Sequence, residues 1–167
     1  MSSDIRPGRD TDLPQLLEIY NHYVRHGYAT FDETEATLGE RQQWLATYSD
    51  TGPHRLLVAA EGDRVLGYAT SSPFRLHPAF RQTVESSIYL DPTATGRGLG
   101  GRLYDALLDA LTGTITDRVL AAVALPNDAS VALHLSKGFT AVGTFTDYAI
   151  KNGHHISSTW FQRPVRP

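Results

Sequence analysis

Four glycines in six residues, Gly96, Gly98, Gly100 and Gly101, stand between the alternating stretch Thr83 to Leu90 and leucines at helical spacing, Leu99, Leu103, Leu107 and Leu111. A glycine turn that leaves a strand and opens a helix points backbone N–H groups, and the positive end of the helix dipole, at an anion such as phosphate. Gly96, Gly98 and Gly101 satisfy the G-x-G-x-x-G pattern of dinucleotide sites. That fingerprint also asks for an acidic side chain at the far end of the second strand, to hold a ribose hydroxyl. Here Asp117 precedes the second strand, whose far end reads Leu125-Pro126-Asn127. A nucleotide P-loop needs Gly-Lys-Ser/Thr, and the chain has Gly101-Arg102-Leu103. Close helix packing is a further use of the glycines, at a cost of roughly 0.8–1 kcal/mol each against alanine wherever they are helical.

Other residue types narrow the chemistry. The chain has no cysteine, which excludes disulfides, thiolate metal sites and a cysteine nucleophile together. His22 and His26 share a helix face at i, i+4 but lack the glutamate of an H-E-x-x-H site, so no metal is predicted. The 15 Lys and Arg are scattered and the net charge is -3, which argues against a nucleic-acid partner. Residues Met1 to Leu13 carry Asp4, Arg6, Arg9, Asp10 and Asp12 and no apolar signal core. With no apolar run long enough to span a bilayer, the expectation is a soluble cytoplasmic protein without membrane contact.

The elements that must position these residues follow from periodicity. A chain of 167 residues, 41% of them hydrophobic, can bury one core, so residues 1–167 are expected to form one domain. A first strand is expected around Asp4 to Arg6. Leu13, Leu16, Leu17, Tyr20, Tyr23 and Val24 share a helix face that Gly27 ends, and Tyr28 to Glu33 reads as a loop. Thr37 and Glu40 have capping-box spacing ahead of Arg41, Trp44, Leu45 and Tyr48. Arg55 to Ala60 and Arg64 to Ser71 read as an antiparallel hairpin across Glu61-Gly62-Asp63. Thr83 to Leu90, the leucine helix and the apolar run Val119 to Leu125 make a parallel crossover unit. Asn127 or Asp128 caps another helix, which Gly138 ends. Phe139 to Ile150 and Ser157 to Phe161 supply two late strands joined across Lys151 to His155.

Taken together, Tyr89-Leu90-Asp91-Pro92 through Gly101, then Ala124 to Val131, then His134-Leu135-Ser136-Lys137-Gly138-Phe139, resemble the acetyl-CoA signature of the GNAT superfamily of N-acetyltransferases. Ile19-Tyr20-Asn21, Ala29-Thr30-Phe31, Thr83-Val84-Glu85, Ile88-Tyr89, Leu125-Pro126-Asn127 and Lys151-Asn152-Gly153 resemble the phosphinothricin and methionine sulfoximine acetyltransferases. The resemblance runs from about Ile5 to Gln162. It implies an α/β GNAT fold: a mixed, mostly antiparallel sheet with a parallel central pair splayed to hold acetyl-CoA, and helices on both faces. It also implies a homodimer and a small-molecule amine acceptor, acetylated directly in a ternary complex. Acceptors of another kind, a polyamine or a protein N-terminus, and a non-catalytic CoA-binding sensor are the alternatives.

The resemblance also implies roles. The backbone of Gly96, Arg97, Gly98, Leu99, Gly100 and Gly101 cradles the pyrophosphate, with Arg97 and Arg102 as candidates to add charge. Ile88, Tyr89 and Leu90 pair with the pantetheine amides, and Asn127 contacts the arm. Glu85 lies five residues before Leu90, about 17 Å at roughly 3.3 Å per residue, which sets it near the thioester as a base for the amine. It alternates with Thr83, Ser87 and Tyr89, away from Val84, Ile88 and Leu90. His134 is the candidate proton donor to the leaving thiolate. Phe31, Arg75, Arg81, Tyr89 and Lys151 are the candidates for the acceptor pocket, because an amino acid with an anionic end calls for cations and an aromatic wall. After Lys151-Asn152-Gly153 this chain has His154, His155, Ile156 and Ser157, where the subfamily carries a basic residue, Trp, His and Asp. Thr95 stands where the superfamily has Gln or Arg.

Overall fold

The alternating stretches become strands of one sheet. A computed structural model describes residues 3–166. The chain runs β1 (Asp4–Pro7), α1 (Leu13–Arg25), α2 (Leu38–Leu45), β2 (Leu56–Glu61), β3 (Arg64–Pro73), β4 (Thr83–Leu90), α3 (Leu99–Thr112), β5 (Arg118–Ala124), α4 (Asp128–Ser136), β6 (Thr140–Lys151) and β7 (His154–Pro164). Strand order across the seven-stranded sheet is β1-β2-β3-β4-β5-β7-β6, and only β4 and β5 pair in parallel. The order of elements is the expected one, and the mixed sheet with one parallel pair is the expected fold.

Two apolar layers hold the sheet. On the back face, Leu99, Leu103, Leu107 and Leu111 of α3 pack on Ala69, Val84, Val119, Ala121 and Phe161, with Val131 and Leu133 of α4 beside them. On the front face, Leu16 and Ile19 of α1 pack on Val58, Val65 and Tyr68, joined by Trp44 of α2 and Tyr89. The helix ends follow the sequence. Thr37 accepts the Glu40 N–H, and the Glu40 carboxylate accepts the Thr37 N–H at 2.7 Å. That capping box starts α2, which stops at Leu45, short of the expected Tyr48.

The late hairpin differs from expectation. β7 begins at His154, and only Asn152 and Gly153 separate it from β6. Both adopt positive φ, 49° and 77°, the left-handed pair that a two-residue turn needs and that Asn-Gly tolerates best. The five-residue link expected from sequence was therefore too long by three positions of strand.

One feature of the sheet matters most for chemistry. β4 and β5 pair only where Thr83, Val84 and Glu85 meet Arg118, Val119 and Leu120. Beyond that point β4 stays bonded to β3, and β5 to β7, so the sheet splits into a slot. The Asp91 N–H bonds to the Leu66 carbonyl at 2.9 Å, so odd-numbered positions of β4 turn their backbone toward β3. By alternation, Ser86, Ile88 and Leu90 turn theirs toward the slot. Leu125 and Asp117 bond to Ser157 and Val165, which by the same alternation leaves Ala122 and Ala124 facing the slot from β5.

Candidate active site

The slot opens into a cavity of about 290 Å³. From the front it is lined by Glu85, Ser87 and Tyr89 of β4, Ser158 and Trp160 of β7, Tyr148 of β6, and Tyr28, Ala29 and Phe31 of the loop after α1. From the back, Ser86, Tyr104, Ser130 and His134 reach it through the split, and Asn127 stands at its end.

Glu85 faces the cavity from the front. Burial pushes its carboxyl above the ordinary carboxylate range, and no cation offsets that. Behind the slot, His134 is 3% exposed. Its Nδ1 lies 2.7 Å from the Ser130 carbonyl oxygen and therefore carries the proton, which leaves Nε2 to accept from the Tyr104 hydroxyl at 2.7 Å. The ring stacks on Phe161 at 5.4 Å. Burial lowers the imidazole pKa, opposed by the Ser130 hydrogen bond, which raises it. The Tyr104 oxygen is also 3.1 Å from Ser86 Oγ. A chain of polar groups thus runs from β4 through α3 to α4.

Tyr104 was not among the candidates read from sequence. It sits within the apolar stripe of α3, beside Leu103 and Leu107. A tyrosine in such a stripe must find a partner for its hydroxyl, and that requirement was the available signal.

The glycines divide by function in the fold. Gly96 and Gly98 both have φ of 73°, and a Cβ at either would meet nothing within 4 Å. Gly98 caps α3. At Gly100 a Cβ would come 3.0 Å from Leu133, and at Gly101 3.2 Å from Lys137, so these two permit α4 to approach. Leu99 is buried in the back layer. The Arg97 guanidinium pairs with Glu61, and Arg102 donates to Ser3. The Asn127 side chain accepts the Ser130 N–H at 3.1 Å and so starts α4. Ile88 and Leu90 pack into the back layer, and the Leu90 carbonyl accepts the Tyr23 hydroxyl at 2.7 Å.

The candidates for the acceptor pocket separate. Phe31 lines the cavity and meets Tyr148 edge-on at 6.1 Å. Tyr89 lines it and donates to the Ala29 carbonyl at 3.1 Å. Arg75 and Arg81 lie outside the lining. The Arg75 guanidinium stands 5.2 Å over the Phe74 ring, and Arg81 donates to the Pro78 carbonyl at 3.2 Å.

Lys151 departs furthest from expectation. It is 1% exposed, and its ammonium donates to the carbonyls of Tyr23 at 3.1 Å, Gly27 at 2.9 Å and Thr30 at 2.9 Å. Three N–H donors meet three acceptors, so none remains for a ligand. Lys151 therefore fastens the C-terminal end of α1 and the loop that carries Phe31. Asn21 adds a second tie, donating to and accepting from the backbone of Ala36.

Known proteins share this architecture. Residues 5–160 match the acetyltransferase (GNAT) domain family. The chain is 45% identical to a phosphinothricin N-acetyltransferase of Streptomyces coelicolor over 163 residues, 96% of this chain and 95% of that one. It is 34% identical over 167 residues to the L-methionine sulfoximine/L-methionine sulfone acetyltransferase of Pseudomonas aeruginosa, 100% of this chain and 97% of that one. A crystal structure of a GNAT superfamily phosphinothricin acetyltransferase from Sinorhizobium meliloti, in complex with acetyl-CoA, aligns with a TM-score of 0.91 at 32% identity, covering 98% of this chain and 89% of that one. With a sheet split between its parallel strands β4 and β5 and a glycine turn after β4, the chain belongs to the GNAT family of acetyltransferases.

Proposed function

We propose that this chain transfers the acetyl group of acetyl-CoA to the primary amine of a small amino-acid-like acceptor, of the phosphinothricin or methionine sulfoximine type. The observation that carries the reading is a carboxylate and a hydroxyl–imidazole pair on opposite sides of one slot, Glu85 in front and Tyr104 with His134 behind. The whole chain, 1–167, acts as one catalytic domain.

In this reading the pyrophosphate lies against the backbone at Gly96 to Gly101, where open space over Gly96 and Gly98 suits its approach. The slot-facing backbone of Ile88 and Leu90 offers partners to pantetheine amides, with Asn127 opposite. Such an anchor brings the thioester alongside Glu85 and Ser86. Glu85, its pKa raised by burial, takes the proton that keeps the acceptor an ammonium. The amine nitrogen then bonds to the thioester carbon, the carbon–sulfur bond breaks, the departing thiolate takes a proton from the group behind the slot, and the second proton of the nitrogen leaves to restore that donor, so that an amide and a free thiol result. Because Nε2 of His134 accepts, the movable proton of the pair rests on the Tyr104 oxygen. We therefore assign proton donation to Tyr104 with His134 as its partner, in place of His134 alone. Phe31 supplies an aromatic wall for the acceptor, and Lys151 acts by positioning its loop. Without cysteine, no cysteine-acyl intermediate forms and both substrates are bound together.

A homodimer fits the outer face of β6, where Val142, Phe145, Tyr148 and Ile150 are 44–61% exposed. Tyr148 also lines the cavity, so a second copy seated there would close the acceptor mouth. Light scattering of the purified protein tests this, and a monomer at micromolar concentration overturns it. The protein is assigned to the cytoplasm, free of membrane and nucleic acid; among the described residues no helix is long and apolar enough to cross a membrane.

The decisive experiment measures free CoA thiol released from acetyl-CoA with a panel of amines, beginning with methionine sulfoximine and phosphinothricin. Release with an amino-acid acceptor supports the reading. Tight acetyl-CoA binding with silence across the panel favours a CoA sensor instead.

A further inference from the structure

A bulge in β6 aims one side chain at the cavity. Phe145 and Ala149 pair with Ser158 and Ile156 of β7, so Thr146, Asp147 and Tyr148 together stand opposite Ser157 alone. Asp147 adopts a left-handed φ of 51°, a backbone that residues with a Cβ rarely take. Ser157 holds it there, because its Oγ accepts the Asp147 N–H at 2.9 Å and lies 3.4 Å from Asp147 Oδ1. Bulges and left-handed residues collect where a strand must redirect a side chain beside a functional site.

The redirected side chain is Tyr148. In a regular ladder it would take the face opposite to Ala149, whose partner Ile156 shares the front face of β7 with Ser158 and Trp160. Tyr148 instead lines the front of the cavity with Glu85 and meets the Phe31 ring edge-on at 6.1 Å. Phe145 backs the tyrosine ring at 5.3 Å.

Both sides of this mouth are fixed. Phe31 stands on the loop that Lys151 grips through the Thr30 carbonyl, and the Tyr20 hydroxyl lies 3.0 Å from Thr30 Oγ1. Beneath the two rings the cavity of about 290 Å³ also runs back to Ile88, Ala124 and Asn127, the part assigned to the pantetheine arm. The acceptor is left the space between Glu85 and the rings. Among the described residues no Lys, Arg or Asp lines the cavity, so its walls select a side chain by size more than by charge.

Resting on the acetyltransferase reading above, we infer that Tyr148 is a specificity-determining residue: its ring, set by the β6 bulge against Phe31, limits the length of the acceptor's side chain. Against a fixed wall each surplus methylene costs about tenfold or more.

The test compares kcat/KM of the wild type, Tyr148→Ala and Tyr148→Phe with methionine sulfoximine and with buthionine sulfoximine, which carries butyl in place of methyl on the same sulfur. All three proteins are assayed at a concentration where light scattering gives them the same oligomeric state. The wild type is expected to favour the methyl compound by about tenfold or more. Tyr148→Ala should shrink that preference about tenfold, chiefly through a lower KM for the butyl compound, while Tyr148→Phe, which keeps the ring, stays within about twofold of wild type. KM for acetyl-CoA should change by less than about twofold in both variants. A wild type without the preference, an unchanged preference in Tyr148→Ala, or an equal loss in Tyr148→Phe overturns the inference. If the wild type acetylates neither compound, the acceptor reading fails separately, and acrylamide quenching of tryptophan fluorescence then decides the role of Tyr148. Trp160 lines the cavity, and Trp44 in the front layer is common to both proteins. Stronger quenching in Tyr148→Ala than in wild type supports a ring that limits entry, and equal quenching overturns it.

Discussion

The Tyr104 hydroxyl lies 2.7 Å from Nε2 of His134, and because the other ring nitrogen is bonded to the Ser130 carbonyl, the tyrosine is the donor. A proton available to the slot from behind therefore sits on oxygen. Tyr104→Phe should lower kcat on the order of ten- to a hundredfold, while KM for acetyl-CoA stays within about twofold. Steady-state kinetics with acetyl-CoA and the best acceptor check this, and an unchanged kcat removes Tyr104 from the mechanism.

Burial of His134 also predicts a pH effect on stability. Its folded pKa is lowered, so below the ordinary histidine value of about 6.5 the unfolded chain binds the extra proton first. Stability from this group is complete above about pH 6.5 and is lost as pH falls toward the folded pKa. Thermal melts between pH 7 and pH 5 should show a steeper decline for the wild type than for His134→Gln.

Glu85 carries the opposite sign. Its folded pKa is raised, so the folded state holds a proton longer, and stability falls as pH rises from the unfolded value through the folded one. At pH 7 Glu85→Gln should melt no lower than wild type and at the same time lose on the order of a hundredfold in kcat. In the wild type, kcat/KM should climb with pH across the raised pKa. A variant with unchanged kcat and the same pH profile would sink the base assignment.

Gly98 separates cofactor contact from protein packing. A Cβ there meets no protein atom within 4 Å, and its φ of 73° costs a non-glycine residue about 1 kcal/mol. Gly98→Ala should raise KM for acetyl-CoA about tenfold and lower stability slightly. A variant with wild-type KM would place the pyrophosphate elsewhere.

Lys151→Met leaves three carbonyls without their donor, at about 3 kcal/mol or more. Beyond the lower melting temperature, KM for the acceptor should rise at least about fivefold, while KM for acetyl-CoA changes less, because the clamp holds the loop of Phe31 and not the slot. Equal effects on both substrates would reduce Lys151 to general support.

Much of this was written in local pattern. The order of α-helices and strands was legible, although α2 ended early and the β6–β7 turn was shorter than expected, and Glu85, the glycines and Asn127 lie on two motifs whose register the sequence displays. What stayed hidden depends on separation along the chain. Tyr104 meets Ser86 and His134 across 18 and 30 residues, and its hydroxyl within an apolar stripe signals that a partner exists without revealing which one. Lys151 looked like an acceptor contact because a lysine in a motif suggests an anion. Its three carbonyl partners lie at the end of α1 and in the loop that follows it, more than 120 residues earlier. Arg75 and Arg81 lie outside the cavity lining, and charge in a sequence cannot reveal which way a loop turns.

That long reach has a consequence for biosynthesis. The carbonyls that Lys151 grips precede it by 121 to 128 positions, so this tie can form only once residue 151 has left the ribosome, whereas the ties from Tyr20, Asn21 and Tyr89 to the same loop need no residue beyond 89. β5 waits longer still, because its outer partner β7 is the last strand of the sheet. A truncation ahead of Lys151 would therefore remove the clamp and the strand that flanks β5 together.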